Sequence, residues 1–286
     1  MSRYIKPFSQ LDLIDDYLFN RVASDPDFGE RFARILLSTI LGKTFSSLHI
    51  TTQRVYYGSD PEKKGIRLDL EIDAQSSVAG ECESFFNIEV ENQHKKRSAV
   101  ALESELPRRL RFYHSKHDAA TLRSGKSYGE LCDSYVIMIM NFDPFGEGLM
   151  RYTIESSCRE RPELEYNDGI HTLLFYTGGQ AKDIPEDLRL LLRYFSSTDQ
   201  TNAANSNLKD IQEVVNRIKS NNLEETTYMT LEERIQQRIR DAVEEAVEET
   251  QAEDNSKFVN SVRTLAEAHP DWTTQQMSEE LMRLYS

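Results

Sequence analysis

Cysteine is rare in this 286-residue chain, which has only Cys82, Cys132 and Cys158. The three are odd in number, and none has a second cysteine or a histidine at the spacing of zinc ligands. This scarcity excludes a small scaffold held together by disulfides and gives no support to a structural zinc site. Reduced thiols are usual in a cytoplasm, so we expect a cytoplasmic protein.

Long apolar runs are also missing. No segment approaches the roughly 20 apolar residues that a membrane-spanning helix needs. Residues 1–7 lack the apolar core of a signal peptide. The glycine-rich phosphate loop of nucleotide-binding proteins is absent as well. We therefore expect no membrane partner and no nucleotide cofactor.

Basic residues are outnumbered: 34 Lys and Arg stand against 48 Asp and Glu, for a net charge of −14. A protein that coats nucleic acid usually has the opposite balance. The charge is uneven, however, because residues 93–126 contain nine basic residues and three acidic ones. Residues 221–260 contain eleven acidic residues and four basic ones. A local cationic surface is therefore compatible with the acidic average.

The most informative stretch lies between residues 64 and 96, where two segments alternate apolar and polar side chains with the period of a β-strand. One face is apolar and we expect it in the core: Leu68, Leu70, Ile72, Phe86, Ile88 and Val90. The other face is polar and we expect it to point outward: Asp69, Glu71, Asp73, Asn87, Glu89 and Glu91. If the strands pair, their carboxylates converge on one surface, which suits a hard divalent cation bound by oxygen ligands.

The order of elements is typical of an α/β protein with a central mixed sheet flanked by helices. Besides the two acidic strands, we predict helices at 11–41 and 98–117 and strands at 49–57, 135–142 and 171–176. From residue 185 onward the pattern is helical only, with helices at 185–195, 208–219, 231–249, 257–268 and 273–285. We divide the chain into an α/β domain, residues 1–200, and a helical C-terminal region, residues 201–286.

Three segments in this order resemble the PD-(D/E)XK nuclease superfamily: a strand with Arg67-Leu68-Asp69, a strand with Asn87-Ile88-Glu89-Val90-Glu91, and a helix with Arg109-Leu110-Arg111-Phe112-Tyr113. More narrowly, the chain resembles the bacterial branch described as PD-(D/E)XK nuclease family transposases or recombination-promoting nucleases. The likeness extends over residues 12–222. It implies a restriction-endonuclease-like core and a metal-dependent DNA endonuclease that uses Mg²⁺ or Mn²⁺.

Carried over position by position, the resemblance makes Asp69 and Glu89 the metal-binding carboxylates. Residue 91 falls where the superfamily has a lysine and this branch often has a glutamine, and here it is Glu91. An anion cannot stabilise negative charge on a phosphate, so Glu91 would bind metal or act as a base. Lys95 or Lys96 would then supply the missing cation, and we include Lys95 among the candidate catalytic residues.

DNA is the expected partner, and five basic residues are candidates for contacting its phosphates: Lys96, Arg97, Arg109, Arg111 and Lys116. Arginine forks suit phosphate oxygens, and the resemblance favours Arg109 and Arg111. The same residues also fit an ordinary solvated helix surface and its flanks. Asp15 and Asp16 fit a helix cap better than a third metal ligand.

Two further alternatives stay open. The carboxylates and basic residues also fit a catalytically degenerate nuclease-fold module that binds nucleic acid or a protein partner without cutting. The acidic helix near residues 231–249 could form a homodimer, although its apolar spacing of four drifts from the heptad of a coiled coil.

Overall fold

The computed structural model describes residues 6–56, 66–76, 83–92, 99–269, 277, 280 and 283. The chain forms two compact units, of which one is Lys6–Glu225 and the other contains the residues from Thr226 onward. None of the helices in the described ranges is both long enough and apolar enough to cross a membrane.

Across the described residues of the first unit, six strands form one mixed sheet in the order β1-β2-β3-β4-β6-β5. The strands are β1 (Phe45–Tyr56), β2 (Ile66–Ser76), β3 (Glu83–Glu91), β4 (Asp133–Met140), β5 (Arg151–Ile154) and β6 (Ile170–Tyr176). Strands β1, β2 and β3 pair antiparallel, β3, β4 and β6 pair parallel, and β5 closes the edge antiparallel to β6. This confirms the predicted α/β class with a mixed sheet.

The helices of this unit are α1 (Asp16–Ala23), α2 (Gly29–Leu41), α3 (Ala99–Thr121), α4 (Glu186–Ser196) and α5 (Ser206–Lys219). Helices α1 and α2 contact the antiparallel strands, α4 contacts α2, and α5 contacts α1. Helix α5 therefore lies in the same compact unit as the sheet, whereas the sequence division at residue 200 separates them. Five aliphatic or tyrosine residues of α4 and α5 that are almost fully buried explain this packing: Leu188, Leu192, Tyr194, Ile211 and Val215.

Helix α3 is the crossover that parallel neighbours β3 and β4 require. Its Leu106 and Leu110 pack against Val136, Met138 and Met140 of β4. These three β4 residues stand in register with Asn87, Glu89 and Glu91 of β3. In-register neighbours share a sheet face, so the helix that covers β4 also covers the polar face of β3.

This corrects the expectation that the polar face of β3 points outward. Asn87 and Glu89 are buried, and their strand neighbour Phe85 stacks on His117 of α3 with ring centroids 3.4 Å apart. The alternation of β3 is real, but both faces are covered. The polar residues of β3 face helix α3 and not solvent.

The helical C-terminal region is confirmed, with α6 running from Asn222 to Ala268. The expectation of separate helices at 231–249 and 257–268 was wrong, because they form one helix. Residues 250–256 contain no proline or glycine, and the polar residues there cost a helix only a fraction of a kcal/mol each. The predicted last helix, 273–285, lies almost entirely outside the described residues.

Helix α3 is fixed to the sheet by a buried histidine, which predicts a pH dependence of stability. His114 Nδ1 lies 2.8 Å from Ser134 Oγ on β4, and its Nε2 lies 3.0 Å from Thr172 Oγ1 on β6. Burial, and next the charge of His171, lower the pKa of His114 from 6.5 to about 4. Between these two pH values the unfolded chain binds more protons than the folded one, so the free energy of unfolding falls on acidification.

We expect His114→Gln to flatten this pH dependence by at most about 1.4 kcal/mol per pH unit, the value for one proton. Urea unfolding at several pH values from 4 to 7 measures the slope. His49→Gln, at an exposed histidine of β1, is the control and should keep the wild-type slope. An unchanged slope in His114→Gln would contradict the assignment.

Candidate metal centre

The two predicted metal ligands meet where the pairing of β2 with β3 ends. The ladder runs from Gln75 opposite Glu83 to Leu70 opposite Ile88. One residue further, the Asp69 N–H donates to Glu89 Oε1 at 3.1 Å, and the Val90 N–H donates to Asp69 Oδ2 at 3.4 Å. Side-chain carboxylates thus accept backbone hydrogen bonds from the facing strand, and this exchange holds Asp69 and Glu89 side by side.

Glu89 is in an environment that disfavours its charged form. Its side chain is 5% exposed. Burial, and next the charge of Asp69, raise the pKa of Glu89 to about 8. A carboxyl group held beside another acid in a low dielectric keeps its proton unless a cation compensates the charge. Without a compensating cation, the position therefore favours the protonated form of Glu89.

Arg109 of α3 provides positive charge at the same place. Its Nη1 donates to Glu91 Oε2 at 2.7 Å, its Nη2 lies 3.9 Å from Glu89 Oε2, and its Nε donates to the Tyr113 hydroxyl at 2.9 Å. The guanidinium carbon also lies 5.4 Å from the centre of the Tyr113 ring. Burial, and next the charge of Glu89, raise the pKa of Tyr113. Arg109 and Tyr113 thus form the helical wall of the candidate site.

Asn87 is the least satisfied polar group of this face. It is 1% exposed, and among the described residues neither Oδ1 nor Nδ2 of its carboxamide has a partner at standard hydrogen-bond geometry. The amide nevertheless lies within hydrogen-bonding reach of Glu89, where it favours the charged form and lowers the pKa of that carboxyl. A buried amide without partners is uncommon and costly in a folded protein.

The donor set fits a hard divalent cation. Among the described residues, no group of three or more Asp, Glu, His or Cys side chains is arranged to hold a metal ion. Mg²⁺ does not need such a cage, because it usually takes one or two carboxylates and keeps several waters. Asp69 and Glu89 supply two carboxylates, and the unpartnered Asn87 carboxamide adds neutral hydrogen-bonding capacity next to them.

The other predicted site residues are less close to the carboxylates or outside the described chain. Arg111 is exposed on α3, two positions and therefore about 200° around the helix from Arg109. Lys116 Nζ lies 5.4 Å from the centre of the Phe112 ring. Lys95, Lys96 and Arg97 lie outside the described residues. The roles of all five stay predictions.

The sequence reasoning missed the partners of Glu71, which was placed on an open face. Glu71 is 2% exposed, its Oε1 accepts from Arg54 Nη1 at 2.8 Å, and the Tyr56 hydroxyl donates to its Oε2. Arg54 and Tyr56 both lie on β1. No local pattern indicates this contact, because it depends on the register of β1 against β2.

Asn92 was also missed, although it directly follows Glu91. Its Nδ2 donates to Asp15 Oδ1 at 2.5 Å, and its Oδ1 accepts from Asn141 Nδ2. Asp15 stands at the N-cap position of α1 but makes no capping bond, because its side chain instead binds Asn92, Lys6 Nζ and the Asp12 N–H. This network anchors the end of β3 to α1, so it fixes the strand at the candidate site.

Comparison with known proteins finds no relative: no protein-family model, curated protein or solved structure matches the chain. The resemblance to the PD-(D/E)XK superfamily therefore stays a prediction.

The buried Glu89 predicts that neutralising it stabilises the metal-free protein. The pKa of about 8 exceeds the ordinary value of 4.5. Between these values the folded state binds more protons than the unfolded state, so stability falls as pH rises. We expect Glu89→Gln to remove this decline, at most about 1.4 kcal/mol per pH unit. The variant should be more stable than the wild type at pH 8 in urea unfolding.

The control is Glu147→Gln, at an exposed acid, which should have nearly the wild-type stability at pH 8. A Glu89→Gln variant that is less stable than the wild type at pH 8 would contradict the prediction.

The Arg109–Glu91 ion pair predicts a measurable coupling between α3 and β3. Both side chains are partly exposed, at 34% and 19%, so we expect about 1 kcal/mol, at the upper end of the range for exposed pairs. A double-mutant cycle with Arg109→Gln and Glu91→Gln measures it by urea unfolding. Salt screens such pairs, so the coupling should shrink in about 1 M NaCl, which is roughly seven times the physiological ionic strength. Additive single mutants would mean that the contact contributes nothing to stability.

Proposed function

We propose that this chain is a metal-dependent DNA endonuclease with a restriction-endonuclease-like core, of the recombination-promoting type. It would hydrolyse phosphodiester bonds with a divalent metal held by Asp69 and Glu89. The observation that carries the proposal is a pair of hydrogen bonds at the end of the β2–β3 ladder: the Asp69 N–H donates to the Glu89 carboxylate, and the Val90 N–H donates to the Asp69 carboxylate. These bonds bring two carboxylates from neighbouring strands side by side.

The arrangement of elements supports the same proposal. Helix α2 precedes three antiparallel strands, and α3 then leads to the parallel strand β4. This is the order that the resemblance implies for the nuclease core, with the acidic residues on the second and third strands. Fold alone does not establish a function, so the carboxylate pair remains the principal argument.

Each residue of the site has a role in this proposal. Asp69 and Glu89 hold the metal, which when bound would polarise the phosphate and lower the pKa of a nearby water. Arg109 offers planar N–H donors to phosphate oxygens on the helical side of the site. Glu91 accepts from Arg109 at 2.7 Å and keeps that guanidinium at the carboxylates. The superfamily has a lysine at position 91. In this proposal Arg109, which Glu91 binds, provides the positive charge in place of that lysine.

The Arg109–Glu91 contact also favours a second candidate. A guanidinium already paired with a carboxylate is less able to stabilise charge on a phosphate during cleavage. A catalytically degenerate module that binds DNA without cutting it is therefore the alternative. DNA is the expected partner under both proposals, and a homodimer through the C-terminal helices stays a prediction.

A nicking assay separates the two. We expect the purified protein to convert supercoiled plasmid to open circles with Mg²⁺ or Mn²⁺ and not with EDTA. Asp69→Asn and Glu89→Gln should each reduce the rate by on the order of 100-fold or more, because each removes a metal ligand. Asp73→Asn is the matched control, since Asp73 lies on the same strand, and its pair with Phe85 is three pairs away from the Leu70–Ile88 end of the ladder.

Equal nicking by the wild type and Asp69→Asn would overturn the endonuclease proposal. A wild type that shifts DNA in a gel but does not nick it, combined with activity gained in Glu91→Gln or Glu91→Lys, would instead identify a degenerate module.

A further inference from the structure

Among the described residues, the Asn87 carboxamide has no partner at standard hydrogen-bond geometry, and four strand residues lie next to it on this face of the sheet. In register with it stand Glu71 on β2 and Val136 on β4. Along β3 the same face carries Phe85 and Glu89, because side chains two residues apart point the same way. The Asn87 amide could hydrogen-bond to one of these four residues, and their other contacts indicate which one.

All four neighbours have contacts of their own, and Glu89 accepts from the Asp69 N–H and lies near Arg109. The Glu71 carboxylate binds Arg54 and Tyr56, Val136 is apolar and packs under α3, and Phe85 stacks on His117. Glu89 is the neighbour that carries the candidate metal site. The carboxamide therefore lies within reach of a proposed metal ligand, and among the described residues it makes no hydrogen bond of standard geometry.

We propose that Asn87 is a positioning residue of the metal centre. Its amide N–H donates to Glu89 when that carboxylate holds the metal, and so orients the ligand. Groups that hydrogen-bond to metal ligands commonly have this role, and their loss typically weakens metal binding by about 10- to 100-fold. The inference rests on the proposed metal site. Beyond that site, it assigns a role in metal affinity to Asn87, an uncharged residue.

The alternative is that Asn87 only fills space in the core. The two roles predict the same change in stability but a different change in metal affinity. An unpaired buried amide destabilises the protein, and replacement by an apolar group of the same shape removes that cost. Leucine has the branching of asparagine, so Asn87→Leu should raise the melting temperature of the metal-free protein under either role. Only the positioning role also predicts weaker metal binding.

The experiment measures Mn²⁺ affinity by titration calorimetry and the melting temperature without metal, on the full chain. We expect Asn87→Leu to melt higher than the wild type and to bind Mn²⁺ about 10- to 100-fold more weakly. Asn87→Ala, which adds no bulk, should weaken Mn²⁺ binding to a similar extent even if leucine does not fit. Gln212→Leu is the matched control, because Gln212 is a buried carboxamide that does have partners, Tyr194 and Asn216. It should melt lower and keep wild-type Mn²⁺ affinity.

Wild-type Mn²⁺ affinity in both Asn87 variants would overturn this inference and leave the metal site standing. If the wild type itself binds no Mn²⁺, the metal site and this inference both fail. If Asp69→Asn loses Mn²⁺ affinity while the Asn87 variants keep it, the centre consists of the carboxylates alone.

Discussion

The packing of α3 across the sheet is the constraint on which the rest of the candidate site depends. Parallel strands β3 and β4 require a crossover, and α3 is anchored by Leu106 and Leu110 on the apolar face of β4. The same helix therefore covers the polar face of β3. That cover removes Glu89 and Asn87 from water and places Arg109 against the carboxylates. Without α3, Asp69 and Glu89 would be two solvated acids with ordinary chemistry.

The covered face keeps two features that oppose folding. One is a buried carboxyl group next to a second acid, and the other is a buried amide that makes no hydrogen bond of standard geometry among the described residues. Both would be avoided by apolar residues of the same shape, and β4 shows that such residues fit on this face. Local departures of this kind are expected where a protein binds or reacts with something. The departures lie two residues apart on β3, which is why we interpret them as parts of one site.

Much of the fold could be predicted from periodicity, since the strands β2, β3, β4 and β6 and most helices have clear patterns. The alternation of β3 could not say whether its polar face meets water or a helix, because both give the same pattern. Strand β5 has four residues and an exposed edge, too few to show a period. Helical periodicity could have identified the arginine of the site. Arg109 lies on the same face of α3 as Leu106 and Leu110, which packs on the sheet, whereas Arg111 lies on the opposite face. The contacts of Glu71 depend on strand register, which the sequence alone does not indicate.

The charge of the site explains how a glutamate can stand where a lysine was expected. Asp69, Glu89 and Glu91 carry three formal negative charges, and Arg109 neutralises one of them through Glu91. The remaining charge of the described groups matches one divalent cation. A lysine at position 91 would face the Arg109 guanidinium and repel it from the site. Strand and helix therefore have to be considered together, because the cation and the residue that holds it come from different elements. In this arrangement Glu91 is the partner of the helical arginine, and the positive charge next to the candidate metal ligands comes from α3.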